Sequence, residues 1–403
     1  VIELFDFSQL AMRDNANLEA FFEWRRRAFP FFARKTFLTH ASVSPLPAHA
    51  RDALHQYAEH ICNEGQFDYG HDAIYKRCKE RIAQLLKENA VAATPHEIAF
   101  ASSTSHALGL VATSLPWIAG ENCIVADGDF PANVTTWKNL EHTHGIEVRM
   151  VPFRARMDIS LEDIMPLVDE KTRIVSLASC NFLSGFPPNL KEIGNWLHAR
   201  GVLLCVDAIQ TLGAVRCDFS EVDFICADAH KWLLGPNGIA LLWTRKEVLQ
   251  TLRPAIFGWL AAQDRANWFA YDTTPIACAE RFEPGARNYL GIVGMEASLE
   301  VLQSHDAALI ENRIVKLRNF AAQLLQEHGF EVLWSPTSEL KSGIVSFRAA
   351  SDTATTALYR KLDEKFALSL RADKNGNQWI RVSAHFMNCE QDIEDLVQRA
   401  KLV

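Results

Sequence analysis

The chain has 403 residues, 48% of them hydrophobic and 22% charged, and a formal charge of −8. That length is enough for two domains with a sizeable core, and the negative charge argues against nucleic acid or an anionic membrane as partner. No apolar run reaches the length of a membrane span and nothing at the N-terminus reads as a signal peptide; the nine scattered Cys form no C-x-x-C, so a reducing cytoplasm is expected.

Within Val1–Arg34, Leu18, Phe21, Phe22 and Trp24 fall to one side and Arg25-Arg26-Arg27 to the other, which predicts a helix with a basic end. Phe37 to Ser42 reads as a strand entering the Pro-rich turn that ends at Pro47. Helices are predicted over Arg51–Cys62 and Ala73–Glu88, with a loop at Phe67–His71 between them. A short strand, Pro95–Phe100, leads through Ser102-Ser103-Thr104-Ser105 into the apolar helix Leu108–Leu115. Small hydroxyl residues at such a junction suit an anion, because backbone N–H groups converge there with the positive end of the helix dipole. The same residues also make ordinary N-caps. There is no G-x-G-x-x-G, so a nicotinamide site has little support.

Cys123–Ala126 predicts a buried strand opening onto Asp129–Trp137, where Phe130 and Trp137 read as core aromatics or as a stacking surface. Arg173–Ala178 is the next strand, and Asn181 in the following turn fits an Asx turn. The helix Leu190–Arg200 then crosses back to Gly201–Trp243, the stretch around which the chain is organised. It holds three short apolar runs, Val202–Val206, Phe224–Ala227 and Ile239–Trp243, each predicting a strand buried on both faces. The first ends in Asp207 and the second leads into His230-Lys231.

Open α/β sheets hold their ligands at the carboxyl ends of such strands. An amine and a carboxylate placed there suit pyridoxal 5′-phosphate (PLP). The amine forms a Schiff base with the aldehyde, and the carboxylate keeps a proton on the pyridine nitrogen. Taken singly, a lysine after a strand is a solvated residue and an aspartate at a strand end caps a helix. Gln210, one turn beyond Asp207, and the tight turn Gly235-Pro236-Asn237-Gly238 argue for more.

Beyond Trp243, the polar-aromatic stretch from Gly258 to Tyr271 predicts a lid or entrance. From Gly291 the pattern changes to long helices, Val293–Ser304 and Ala307–His328, then strands near Phe330–Trp334 and Gly343–Phe347. A further helix and two strands are expected to close the chain. The last of these, Trp379–Ser383, carries Arg381, whose planar fork suits a carboxylate.

The ordered set Asp207-x-x-Gln210, His230-Lys231-Trp232-Leu233 and Gly235-Pro236-x-Gly238 resembles the class V aminotransferase group of fold-type I PLP enzymes. Cysteine desulfurases, isopenicillin N epimerase-like proteins and kynureninase share that group. The likeness runs from roughly Phe37 to Asn388. It implies an α/β fold: a mostly parallel central sheet flanked by helices in a large PLP-binding domain over 38–290, and a smaller α+β domain from 1–37 plus 291–403. It implies that Lys231 is the Schiff-base lysine and the base at the substrate α-carbon, and that Asp207 partners the ring nitrogen. Phe130 stands where desulfurases place a stacking His. Thr104, Ser105, His230 and Arg287 fall on phosphate-neutralising positions, and Gln210 and Asn181 on positions that tune the phenolic oxygen.

Arg381 matches the clamp on the substrate α-carboxylate, and Ser42 or His40 matches the segment beside it. Arg281–Asn288 resembles a loop that crosses a dimer interface in relatives, so a homodimer with shared active sites is implied. Ala286 replaces a Thr there, and Met387 replaces a Tyr before the retained Asn388. A second cation at Arg371 would suit a substrate with a further acidic group, although alone it reads as a solvated strand end.

The interval Arg371–Arg381 contains no Cys, whereas longer desulfurases carry a nucleophilic Cys on a mobile loop there. Persulfide chemistry needs a thiolate near the substrate sulfur. The expectation is therefore a PLP-dependent aminotransferase or lyase acting on an amino acid, and not a persulfide-forming desulfurase. Transamination is favoured; β-elimination and epimerisation are the alternatives within the group, and a non-catalytic PLP-fold binding protein is a remote one. No metal site is expected.

Overall fold

The computed structural model describes residues 2, 4–7, 15–66, 69–334 and 340–402. Phe67 and Asp68 of the expected loop lie outside the described residues.

Seven strands form the main sheet, in the spatial order Ile98–Ala101, Ala240–Thr244, Phe224–Asp228, Leu203–Asp207, Thr172–Ala178, Asn122–Asp127 and Glu147–Pro152. From Phe224–Asp228 to Glu147–Pro152 every neighbouring pair is parallel. Only Ala240–Thr244 runs against both its neighbours. The connection before it, from Ala229 to Ile239, contains no helix, and a parallel return needs a longer crossover, which is usually helical.

Successive residues of the inner strands feed two different cores. Ile124, Val175, Leu204, Val206 and Ile225 pack on one side, and Cys123, Val125, Ile174, Cys205 and Cys226 on the other. That alternation is why these runs are apolar at every position: helices cover both faces. Glu147–Pro152 has exposed residues at both ends, as an edge strand should, and this mixed character hid it from the periodicity reading.

A second, antiparallel sheet runs in the order Ser369–Ala372, Gln378–Ser383, Ile344–Arg348, Glu331–Val332. The segment from Thr36 makes a small sheet of its own beside it rather than joining the main sheet. Thr36–Phe37 pairs in parallel with Phe366–Ala367, and Thr39 bridges to Ser383. The helix Asn15–Ala28 also meets the late part of the chain, where buried Arg25 reaches Asp392 at 2.6 Å.

The chain ends in a helix, Glu390–Lys401, and not in a strand as expected. Asp392 caps its first turn, and Ile393, Leu396, Val397 and Ala400 form the buried stripe of an amphipathic helix. No described helix is long and apolar enough to cross a membrane.

Candidate active site

The carboxyl ends of three parallel strands are in register, with Ala178 beside Asp207 and Asp207 beside Cys226. This places Asp207 centrally and brings Lys231 in from the turn after Asp228. Lys231 O accepts from Leu234 N at 3.1 Å, and Leu234 is left-handed at φ 58°, a conformation that a bulky residue adopts only when its surroundings force it. Trp232 packs wholly inside, and its indole N–H donates to Gln210 Oε1 at 3.0 Å. The tight turn therefore anchors inward on one side of Lys231 and aims the amine outward.

The amine enters a cavity of about 220 Å³ whose walls include Asp207, Phe130, Ser42, Arg371 and Arg381. A roomier hollow lies near Trp259 and Trp268, but it contains no acid–amine couple. Burial lowers the Lys231 pKa to about 8; Arg381 and Arg371 push the same way, while Asp207 and Asp228 oppose. Burial raises Asp207, partly offset by the Ile209 N–H that donates to its Oδ1 at 3.0 Å. The Lys231 Nζ lies 5.4 Å from the centre of the Phe130 ring, and Phe130 meets Phe182 edge-on.

One end of the cavity is built on the start of the helix Thr104–Ser114. Ser103 is its N-cap and accepts from His106 N at 3.1 Å, while Thr104 Oγ1 accepts from Asp228 N at 2.9 Å. The first helical amides, of Thr104 and Ser105, have no intrahelical acceptor, so they suit an anion. His230 closes this end, with Nδ1 2.6 Å from Asp228 Oδ1.

At the other end, two arginines share one hydroxyl. Arg371 donates to Ser42 Oγ at 3.1 Å, and Arg381 donates to the same oxygen and to Ser369 Oγ at 3.3 Å. Arg381 Nη1 is held by Phe182 O at 2.6 Å, and its buried Nε has no partner. Neither guanidinium has an ion-pair carboxylate among the described residues. Burial and the neighbouring Arg371 lower the Arg381 pKa to about 9. Arg371 is half-buried at the cavity wall, so the solvated strand end is not what the structure holds.

Lys231, Asp207, Phe130, Thr104, Ser105, Gln210, His230, Ser42, Arg371 and Arg381 thus converge on one cavity. Gln210 arrives with its amide engaged at both ends, since Nε2 donates to Ala41 O at 3.1 Å. Three expected residues do not line the cavity. Asn181 turns its Oδ1 to Leu183 N and Ser184 N, an Asx turn, and Phe182 takes the wall position instead. Arg287 pairs with Glu283 at 2.7 Å and Glu280 at 3.3 Å and covers the Tyr75 ring, because its own loop supplies both carboxylates. His40 is core, bonded to Ser44 Oγ at 2.7 Å and packed against Trp232. Asp228 and Ser369 were missed; Asp228 ends the strand before Lys231, and that position was the available signal.

The donor set fits PLP. A buried carboxylate without a hydrogen-bonding cation faces the same space as a buried amine, and free helix amides stand at one end. Such a couple at the strand ends of a sheet with one reversed strand defines a fold-type I PLP protein.

Comparison with known proteins agrees. The family model for Aminotransferase class-V matches residues 36–396, and the chain belongs to that family, whose members use PLP. Among curated relatives, an uncharacterized aminotransferase of Bacillus subtilis, YcbU, is 25% identical over 386 residues, covering 93% of this chain and 96% of that protein. A probable cysteine desulfurase of Methanothermobacter thermautotrophicus is 25% identical over 389 residues, covering 92% and 94%. The fold is similar to that of the cystine C–S lyase C-DES in complex with its product cysteine persulfide, with a TM-score of 0.83 at 22% identity over 93% of this chain and 99% of that one. It is also similar to a C-DES mutant with glycine covalently linked to its PLP cofactor, with a TM-score of 0.85.

Proposed function

We propose that the protein is a PLP-dependent enzyme working at the α-carbon of an amino acid, with transamination as the first reading. The observation that carries this is the meeting of Lys231, Asp207 and Arg381 in one cavity. When bound, PLP supplies an aldehyde that captures the substrate amine and a ring that withdraws electrons from the α-carbon.

Arg381 and Ser42 receive the substrate carboxylate, with the guanidinium already held by Phe182 O and Ser369, so little ordering remains to be done on binding. Lys231 takes the α-proton; burial brings its pKa near neutrality, where a base is most effective. Asp207 keeps the ring nitrogen protonated, and Phe130 offers a flat face to the ring. The amides of Thr104 and Ser105, with His230, hold the phosphate. Arg371 adds a second positive charge, which suits a substrate with an acidic side chain.

This reading takes 38–290 as the cofactor-binding unit and 1–37 with 291–403 as the smaller one; the separate sheets support two units, while the helix Tyr289–Gln303 packs on Ala48–Asn63 and His71–Lys87 of the first. It also takes the working form as a homodimer, supported by the exposed rings of Trp259, Trp268, Phe269 and Tyr271.

A second reading, β-elimination at a C–S bond, is favoured by the likeness to C-DES and by relatives named cysteine desulfurases. Those names also run against excluding persulfide formation. What supports the exclusion is that no cysteine is among the cavity-lining residues. Single-turnover experiments with candidate amino acids separate the readings. Transamination leaves a 2-oxo acid and the amine form of the cofactor. Elimination releases pyruvate and ammonia, and desulfuration turns cysteine into alanine with a protein persulfide. If the purified protein takes up no PLP, the whole reading fails.

A further inference from the structure

Three hydroxyls that touch one another support the pair of arginines. Thr39 Oγ1 donates to Ser42 Oγ at 3.1 Å and lies 2.8 Å from Ser369 Oγ, which is 3.0 Å from Ser42 Oγ. Local geometry brings each oxygen there. Ser42 N donates to Thr39 O at 2.9 Å, so the turn folds its two hydroxyls together. Ser369 stands opposite Arg381 across an antiparallel pair and shares a face with Arg371, two residues along its own strand. Ser369 is buried, and neither it nor Thr39 is among the cavity-lining residues.

Each hydroxyl has one hydrogen and two lone pairs. Three hydrogens on the three edges of a triangle can only run round it, so every oxygen gives one and accepts one. With Thr39 donating to Ser42, Ser42 donates to Ser369 and Ser369 to Thr39. That leaves Ser42 one lone pair, yet Arg371 and Arg381 each point an N–H at it. A guanidinium only donates, so neither arginine can reverse its role. Ser42 thus faces three donors with two lone pairs, and reversing the ring does not change that number. One guanidinium N–H is left without a lone pair of its own.

We propose that Thr39 and Ser369 are positioning residues of the carboxylate receptor: by filling the acceptor capacity of Ser42, they keep one guanidinium N–H in want of an anionic oxygen. This rests on the reading of Arg381 and Ser42 as the seat of the substrate carboxylate. A carboxylate brings the missing lone pairs and accepts that N–H in a charged hydrogen bond. If Thr39 loses its hydroxyl, the ring opens and Ser42 donates to Ser369. Ser42 then has a lone pair for each arginine, so the empty receptor satisfies itself and an incoming carboxylate gains less.

The test is calorimetric titration of the PLP-loaded protein with propionate in a chloride-free buffer, beside its PLP affinity. Thr39→Val, which exchanges the hydroxyl for a methyl, should weaken propionate about fivefold and leave PLP affinity unchanged. Thr39→Ser should restore wild-type propionate binding. In a Ser369→Ala background, where the ring is already open, Thr39→Val should no longer lower propionate affinity. If Thr39→Val does not fold, Thr39→Ala against Thr39→Ser carries the same comparison. Unchanged propionate affinity in the folded Thr39 variant, or the same loss in the Ser369→Ala background, overturns the proposal. In either case, propionate binding that Arg381→Ala abolishes leaves the broader reading standing. A wild type that binds no propionate, or binds it equally after Arg381→Ala, removes both.

Discussion

Around Ser103–Ser105 the cavity meets negative charge with backbone amides and a hydroxyl cap; around Ser42 it meets it with two guanidiniums. The first arrangement belongs to a single helix end and exists once that helix is packed. The second is assembled from three segments: the turn at Ser42, the strand Ser369–Ala372 and the strand Gln378–Ser383. A ligand group that stays is suited by the first kind of site, and one that arrives and leaves by the second. The guanidiniums carry full charges with no counter-ion among the described residues, so they reward an incoming carboxylate most.

Substitutions can break or sharpen this contrast. The largest effect is expected at neither end but between them. Lys231→Ala should abolish the cofactor band and lower turnover by about 10⁴-fold, the upper range for loss of a general base. Arg381→Ala should raise KM about 100-fold, through loss of charged hydrogen bonds of about 1.5–3 kcal/mol, with PLP affinity unchanged by equilibrium dialysis. If PLP affinity falls equally, the two ends are not independent.

Arg371→Ala should act more weakly on neutral amino acids, about tenfold, and more strongly on acidic ones. It should also shift a pH profile. The neutral amine captures PLP, so uptake by the apoprotein should rise with pH through about 8. Removing the Arg371 charge relieves repulsion of protonated Lys231, raises its pKa and moves that rise to higher pH, which stopped-flow absorbance would detect. The smallest effect belongs to Ser103→Ala, which should cost about 1 kcal/mol in denaturant unfolding and weaken PLP binding alone.

The strands carrying Asp207 and Lys231 were legible because both faces of each are buried and the apolar runs are uninterrupted. Asp207 was legible as a polar residue at a strand's end, Lys231 as the lysine in the turn after the next strand, both within an ordered motif set, and Arg381 as an arginine inside the last strand. Asn181 and Arg287 show where a motif position and a side chain's partner part company. Asn181 gives its Oδ1 to its own turn while its buried Nδ2 is left without a partner, and Arg287 pairs with Glu283 four residues away. That second pairing was readable from spacing. The reversal of Ala240–Thr244 followed from a helix-free connection and could have been anticipated from it.

Thr36–Phe37 is zipped in parallel to Phe366–Ala367, and Ser42 lies five residues beyond Phe37. The same turn is bonded to the main-sheet side as well, Ala41 O accepting from Gln210 Nε2 at 3.1 Å and Ser44 N donating to His230 O at 2.7 Å, so the serine that both arginines grip is moored on two sides. Arg381 is moored likewise, by Phe182 O on one side and Ser369 Oγ on the other, so the carboxylate receptor is a clasp closed between two parts of the chain and loosening either part would open it.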